Sequence, residues 1–169
     1  TEENNWNKLP SLSFAYKKDR YLSKKDSVAG VKKYLKEAVR RQMISDVPLG
    51  AFLSGGIASS SIVAFAKEFN PNIKCFTIDN GKEPQKGDLF YAKQVAKHLD
   101  LNLSIVKIDP YKFISSLENM VWQLDEPIAD PASLNIKFIC EYAKSQGIKV
   151  LLSGTGGDDI FSGYRRHVA

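Results

Sequence analysis

The chain has 169 residues, 43% of them hydrophobic and 25% charged, which fits one folded domain and excludes a disordered or fibrous protein. Lysine and arginine number 24 against 19 aspartates and glutamates, a mild basic excess that suits anionic ligands without by itself indicating nucleic-acid binding. No apolar run approaches the roughly eighteen residues that a membrane span requires, so we do not expect one.

Residues 1–25 carry no clear hydrophobic period and are expected to form a lead-in segment or linker, with a domain over 26–169. A helix is predicted next, at about 27–44, because Val28, Val31, Leu35 and Val39 recur at helical spacing. After it, short apolar strands alternate with helices. The predicted strands are 49–53, 73–78, 103–108 and 149–152, and the predicted helices are 60–69, 89–99, 110–124 and 133–146. This alternation is typical of an α/β fold in which an open parallel sheet carries helices on both faces.

Three further side chains lie in apolar surroundings along the chain. Cys75 and Cys140 each sit in an apolar segment without a Cys or His at metal-ligand spacing, so we expect two buried free thiols. Free thiols fit a reducing compartment, and we expect a cytoplasmic protein. The start of the chain lacks the apolar core of a secretory signal, which would support this expectation only if Thr1 were the true start. Trp122 is expected to pack in the core.

Two of the predicted strands end in nearly the same run of small residues. The first is followed by Ser54-Gly55-Gly56, and the fourth by Ser153-Gly154-Thr155-Gly156-Gly157. Glycines permit close approach of the main chain to a ligand, and a helix starting near Ser59 would point unpaired N–H groups at whatever lies over the turn. Ligands of open parallel sheets bind at the carboxyl ends of the strands. The pattern therefore predicts a phosphate cradle, although neither GxxxxGK[ST] nor GxGxxG is present.

The paired motifs resemble a known family. LSGGxxSS after one strand and LSGxGxDD(x)FxGYRR after a later one are similar to the synthetase half of the glutamine-dependent asparagine synthetases. Supporting similarity occurs in residues 46–50, 75–78 and 121–131, and the resemblance covers roughly 27–167. It implies the three-layer, Rossmann-like fold of the adenine nucleotide α-hydrolase group, whose signature turn binds pyrophosphate.

The resemblance also implies a reaction. Enzymes of this family activate the side-chain carboxylate of aspartate with ATP, forming a β-aspartyl adenylate and pyrophosphate, and ammonia then displaces AMP. The implied cofactors are ATP and Mg²⁺, and the implied partners are a small carboxylate substrate and a glutaminase domain that supplies ammonia. That domain begins with a nucleophilic cysteine in the family, whereas this chain begins at Thr1, so glutamine hydrolysis is not assigned to it. The fragment is expected to be truncated at its C-terminus, with the glutaminase domain absent.

The family's functional positions carry over by matching the motifs. Pyrophosphate would be held by Ser54, Gly55, Gly56, Ser59 and Ser60. Phe52 and Ile78 would flank the adenine, and Ser153 and Gly154 would lie near the ribose and the α-phosphate. Asp158 aligns with a carboxylate that helps to hold Mg²⁺, a hard ion that favours carboxylates and phosphate oxygens.

Three positions depart from the family pattern. Ala58 stands where the family has a Mg²⁺-binding Asp, and a methyl group cannot ligate a cation; we expect weakened or abolished turnover, the alternative being that water fills the ligand position. Thr155 stands where many members carry a Glu that serves the aspartate or ammonia step. Asp159 replaces the usual Glu of the same motif. Thr155 and Asp159 are the candidate catalytic residues.

Several alternatives stay open at the level of sequence. The amidated acid could be another carboxylate, such as a sugar acid or an antibiotic precursor. Because of Ala58, the chain could instead be a non-catalytic nucleotide-binding or regulatory module. An RNA-modifying relative ranks last, since neither paired cysteines nor an appended RNA-binding segment is present, and nucleic acid is not expected as a partner. The acidic loop with Asp125, Glu126 and Asp130 could border an acceptor pocket, but helix-end capping is the favoured interpretation.

Overall fold

The structure is a computed structural model that describes residues 22–163, apart from residues 80, 82–86, 127, 129 and 131. The helices are α1 (Lys24–Gln42), α2 (Ile57–Phe69), α3 (Asp88–His98), α4 (Pro110–Ser115), α5 (Leu117–Leu124), α6 (Ala132–Ser145) and α7 (Gly157–Phe161). The strands are β1 (Leu49–Phe52), β2 (Lys74–Asp79), β3 (Asn102–Lys107) and β4 (Val150–Leu152). Within these ranges no helix combines the length and apolarity that crossing a bilayer would require.

The four strands form one parallel sheet in the order β3-β2-β1-β4. β1 lies inside the sheet, and its Ala51 pairs with Cys75 of β2 on one side and with Leu152 of β4 on the other. The predicted open parallel sheet is confirmed. Each predicted strand of the sheet is present, with ends displaced by about one residue.

Neighbouring residues of a strand point to opposite faces of the sheet, and two core clusters result. Ala51 and Cys75 belong to the cluster that also contains Val63 of α2 and Ala92 of α3. Phe76, the residue after Cys75, belongs to the other cluster, which contains residues of α5 and α6. Helices therefore cover both faces of the sheet, as the alternation of strands and helices predicts.

The helix predicted at 110–124 is instead two helices, α4 and α5, that meet at Ser116. The sequence here contains Ser115-Ser116, and the Ser115 hydroxyl donates to the carbonyl of Lys112. Serine hydroxyls that bond to their own backbone compete with regular helical bonding. The N-terminal part of the prediction is confirmed, because Pro110 opens α4 and the Asp109 side chain caps it.

Two side chains expected in the core are outside it. Cys75 is fully buried, but Cys140 is exposed, because α6 turns Leu134, Phe138 and Ile139 toward the sheet while Cys140 lies off that stripe. Trp122 is 73% exposed, since the short helix α5 buries Met120 instead. The apolar residues of both helices extend around the helix beyond the face that the core covers.

The two thiols should differ sharply in reactivity. Burial raises the pKa of the Cys75 thiol to about 12. Burial also raises the pKa of the Cys140 thiol, which is less deeply buried. We expect an aromatic disulfide reagent to modify one thiol per folded chain, at a rate that grows with pH as the Cys140 thiolate forms. The Cys140→Ser variant should lose this phase, and denaturant should release a second thiol. Rapid modification of two thiols in the folded chain would contradict the burial of Cys75.

Candidate nucleotide-binding site

The two Ser-Gly turns lie side by side at the carboxyl edge of the sheet. The first turn, residues 53–56, follows β1, and the second turn, residues 153–156, follows β4, the strand paired with β1. Strands β2 and β3 extend from one side of β1, whereas β4 lies on the other, so strand order reverses between β1 and β4. In open α/β sheets this reversal point forms the crevice in which ligands bind.

The second turn packs against the start of α2 through main-chain atoms. A Cβ built on Gly154 would lie 2.7 Å from the amide nitrogen of Ser59 and 3.0 Å from the carbonyl carbon of Ala58. No side chain fits in that space, so glycine is required at 154 if the turns are to keep this spacing. The contact brings together the first group of predicted site residues, around Ser54 and Ser59, and the second group, around Ser153.

The first turn is also packed against α3. Gly55 has φ +81°, and a Cβ on it would lie 2.4 Å from the amide nitrogen of Ala92. The turn is therefore confined on one side by the backbone of α3 and on the other by the second turn. Such a fixed turn loses little conformational freedom when a ligand binds, which favours binding.

Hydrogen bonds inside the first turn centre on Ser59, which is 7% exposed. Its Oγ lies 3.0 Å from the Oγ of Ser54, accepts a bond from the Ser54 amide at 3.3 Å and is 3.1 Å from the carbonyl oxygen of Gly56, to which it can donate. The Gly56 amide donates to the Ser54 Oγ at 3.4 Å. Ser54 itself is exposed and reaches the open side of the turn.

The N-terminus of α2 has no side-chain cap. Gly56 is the N-cap residue, no side chain bonds to it as a cap, and the first turn of the helix contains no acidic residue. Unpaired N–H groups and the helix dipole together make such an end attractive to anions. This uncapped end of α2 lies beside the second turn, so its amides are candidate donors to an anion at this edge of the sheet.

The second turn has hydroxyl groups on its surface. The Oγ of Ser153 and the Oγ1 of Thr155 lie 2.7 Å apart, and the Thr155 amide donates to the Ser153 Oγ at 3.1 Å. After this turn the chain forms α7, a helix that the sequence analysis did not predict. Asp158 and Asp159 lie in its first turn, Asp158 half-buried and Asp159 exposed.

Residue 58 lies at the junction of the two turns. A Cβ on Gly157 would be 3.0 Å from the Cβ of Ala58, so this methyl group points at the start of α7, one residue before Asp158. Position 58 supplies no carboxylate at this junction, and the Asp158 carboxylate lies beside Gly163, where an added Cβ would be 2.5 Å from its Oδ1. Among the described residues there is no group of three or more His, Cys, Asp or Glu side chains that could hold a metal. The donor set fits Mg²⁺ only where phosphate oxygens and water complete its coordination.

Phe52, Ile78 and Ser60 are further predicted site residues at the ends of the strands and the start of α2. Phe52 ends β1 and Ile78 lies near the end of β2; both side chains are half-buried and pack against the core cluster on the α5–α6 face. Ser60 faces a groove between α2 and α3 that also includes Gln94 and His98. The Ser60 Oγ is buried and has no hydrogen-bond partner in the described part of the chain.

The favoured interpretation of the acidic loop is confirmed for Asp130. Its side chain accepts a bond from the amide of Ala132 at 2.9 Å and so caps the start of α6. Asp125 ends α5 with φ 59°, a left-handed conformation that Asp tolerates at helix ends. Glu126 is exposed. Sequence reasoning included Gly157 in the second run of small residues, but it did not predict the contact of Gly157 with Ala58 or that of Gly55 with the backbone of Ala92.

Comparisons with known proteins agree with this arrangement. A model of the asparagine synthase family matches residues 30–169. The chain is 42% identical over 139 residues to asparagine synthetase [glutamine-hydrolyzing] 1 of Bacillus subtilis, covering 81% of this chain and 21% of that protein. It is 31% identical over 156 residues to amidase chyE of Penicillium rubens, covering 84% of this chain and 23% of that protein. The chain thus spans about a fifth of the length of these relatives.

A solved structure shares the fold at low sequence identity. The NH3-dependent NAD synthetase of Campylobacter jejuni superposes with a TM-score of 0.51 at 15% identity, covering 77% of this chain and 58% of that one. The fold is that of the adenine nucleotide α-hydrolases, as the resemblance implies. With the family match over residues 30–169 and the two motif turns in contact, the chain belongs to the asparagine synthase family.

Proposed function

We propose that this chain is the nucleotide-binding part of an enzyme that uses ATP to convert aspartate to asparagine. The observation that carries the proposal is the backbone contact between Gly154 and the start of α2, in a member of the asparagine synthase family. That contact brings two glycine turns and an uncapped helix N-terminus next to one another. Triphosphates are recognised by this combination of backbone donors and helix dipole.

In the proposed reaction an oxygen of the aspartate side-chain carboxylate attacks the α-phosphorus of ATP. The bond between the α-phosphorus and the bridging oxygen breaks, and pyrophosphate leaves. Ammonia then attacks the activated acyl carbon, AMP leaves, and a proton is lost as the amide forms. The protein contributes chiefly by positioning the reactants and by stabilising the negative charge on the phosphates.

The predicted site residues divide this work between the two turns. The first turn and the start of α2 would hold the leaving pyrophosphate, and the second turn would lie at the ribose and the α-phosphate. Adenine would lie at the ends of β1 and β2. The residues proposed for these contacts are Ser54, Gly55, Gly56, Ser59 and Ser60, then Ser153 and Gly154, then Phe52 and Ile78.

Asp158 is the residue proposed to hold Mg²⁺, which when bound would neutralise phosphate charge. Ala58 supplies no carboxylate at the junction of the turns, so we infer a weakened metal site and slow turnover. The same feature supports a second candidate function, a nucleotide-binding module without catalysis.

The acceptor side of the site is proposed at Thr155 and Asp159. Asp159 is exposed and charged, whereas Thr155 can hydrogen-bond but cannot act as a base. Thr155 and Asp159 depart from the family pattern, and the chain is similar to a protein named an amidase. Both observations support a carboxylate other than aspartate as an alternative acceptor. We further propose that residues 1–25 link this domain to a glutaminase domain that supplies ammonia, and that the enzyme works in the cytoplasm.

The acceptor can be identified by the products formed. We expect the Ala58→Asp variant, given ATP, Mg²⁺, ammonium and aspartate, to release AMP and pyrophosphate and to form asparagine, faster than the unchanged chain. Glutamate, whose side chain is one methylene longer, serves as the matched control. Faster release of AMP and pyrophosphate with another acid would identify that acid, and not aspartate, as the substrate. ATP binding without any acid-dependent release would favour the non-catalytic module.

Gly154→Ala tests the contact between the turns. The added Cβ would overlap the Ser59 amide, so the turns must separate, and we expect ATP affinity to fall by about tenfold or more. Overpacking of this kind should also cost about 1–3 kcal/mol of folding free energy. Gly30→Ala is the control, because a Cβ at Gly30 meets nothing within 4 Å and α1 should become slightly more stable. Unchanged ATP binding by the Gly154→Ala chain would count against this site.

Ala58→Asp tests the metal proposal. We expect the unchanged chain to bind ATP with little dependence on Mg²⁺, and the variant to bind ATP about tenfold more tightly when Mg²⁺ is added, because a second carboxylate joins Asp158. The Ala58→Asn side chain has nearly the same size as that of Ala58→Asp but carries no charge. In this control, added Mg²⁺ should not strengthen ATP binding. Calorimetric titrations with and without Mg²⁺ measure both effects, and equal gains by Asp and Asn would contradict a metal role for position 58.

A further inference from the structure

Ser54 of the first turn and Ser59 near the start of α2 differ in their exposure to solvent. Ser54 is exposed on the open side of the turn, whereas Ser59 is buried, and their hydroxyl oxygens lie 3.0 Å apart. A phosphate arriving over the turn can meet the hydroxyl of Ser54 directly. The hydroxyl of Ser59 lies behind it, within the backbone of the turn.

Counting protons gives two arrangements of this pair. A hydroxyl donates one hydrogen bond and accepts up to two. If Ser59 donates to the carbonyl of Gly56, then Ser54 must donate to Ser59, and its proton is not available to a ligand. If Ser59 donates to Ser54 instead, the proton of Ser54 is free to point at a phosphate.

Exchange between the two arrangements leaves no buried group without a partner. The carbonyl oxygen of Gly56 also accepts a bond from the Ser60 amide at 3.0 Å, so it remains satisfied when the Ser59 hydroxyl rotates away. Ser59 Oγ keeps the bond that it accepts from the Ser54 amide. In the second arrangement each donor polarises the next, which strengthens the bond to the anion.

We propose that Ser59 is a positioning residue that acts through Ser54. In the free protein the hydrogen bonds run from Ser54 to Ser59 to the carbonyl of Gly56. When a phosphate binds they reverse and run from Ser59 to Ser54 to the phosphate, each hydroxyl keeping its own proton. The inference rests on the proposed function, because it takes the nucleotide phosphates to lie at the first turn, and it changes the role assigned above to Ser59 from a direct contact to an indirect one.

A double-mutant cycle tests the proposal, with inorganic pyrophosphate titrated into the full 169-residue chain. We expect Ser54→Ala to lose about tenfold or more in affinity, since it removes a bond to a charged group, and Ser59→Ala to lose about three- to tenfold. The double variant should lie within about twofold of Ser54→Ala, because Ser59 has nothing left to position. Losses that multiply would show that Ser59 contacts the ligand independently and would overturn the proposal.

Further variants serve as controls for changes in side-chain shape and for loss of folding. Ser59→Cys keeps the shape of the side chain with a somewhat larger atom that hydrogen-bonds weakly, so it should lose nearly as much affinity as Ser59→Ala; wild-type affinity in this variant would overturn the proposal. Ser145→Ala removes a hydroxyl that bonds within α6, far along the chain from both turns, and should bind normally. If the unchanged chain binds neither pyrophosphate nor ATP, the proposed function itself fails, and the reversal of the serine bonds fails with it.

Discussion

The missing side chain at Gly154 is the constraint on which the site depends. It allows the backbone of one turn to lie against the first amides of α2, which follows the neighbouring strand. Two strands that pair in parallel fix the direction and height of the turns, but pairing alone leaves their separation open. The glycine allows the two turns to approach to backbone contact.

The sheet supports this arrangement by being buried on both faces. Cys75 and Phe76 are adjacent in β2, yet they belong to different core clusters. Helices α2 and α3 pack on one face, and α5 and α6 on the other, so the strand ends cannot tilt without disturbing packed side chains. The hydroxyl groups of the turns are therefore presented from a rigid edge, while the residues that would meet the acid substrate, Thr155 and Asp159, lie on the exposed side of the second turn and the start of α7.

Sequence patterns predicted the regular part of this structure well, because short apolar strands have few alternatives in an α/β chain. They also predicted that the Ser-Gly turns lie at the carboxyl ends of parallel strands, and the structure adds that the two turns are in contact. They were wrong about Cys140 and Trp122, whose exposure depends on which side of a helix faces the sheet. They missed the break at Ser116 and the helix α7, where local side-chain bonds and glycine conformations decide the outcome. The assigned roles of the site residues remain predictions.

The contact at the turns is made by main-chain atoms, and this has an evolutionary consequence. A contact made by main-chain amides is preserved in most substitutions, because only proline removes the backbone N–H. Such a domain can carry alanine at position 58 and keep the main-chain contact between the two turns. It can likewise exchange the residues that face the acid without rebuilding the rest. Side chains around the turns can therefore change over evolutionary time while the main-chain geometry of this sheet edge is retained.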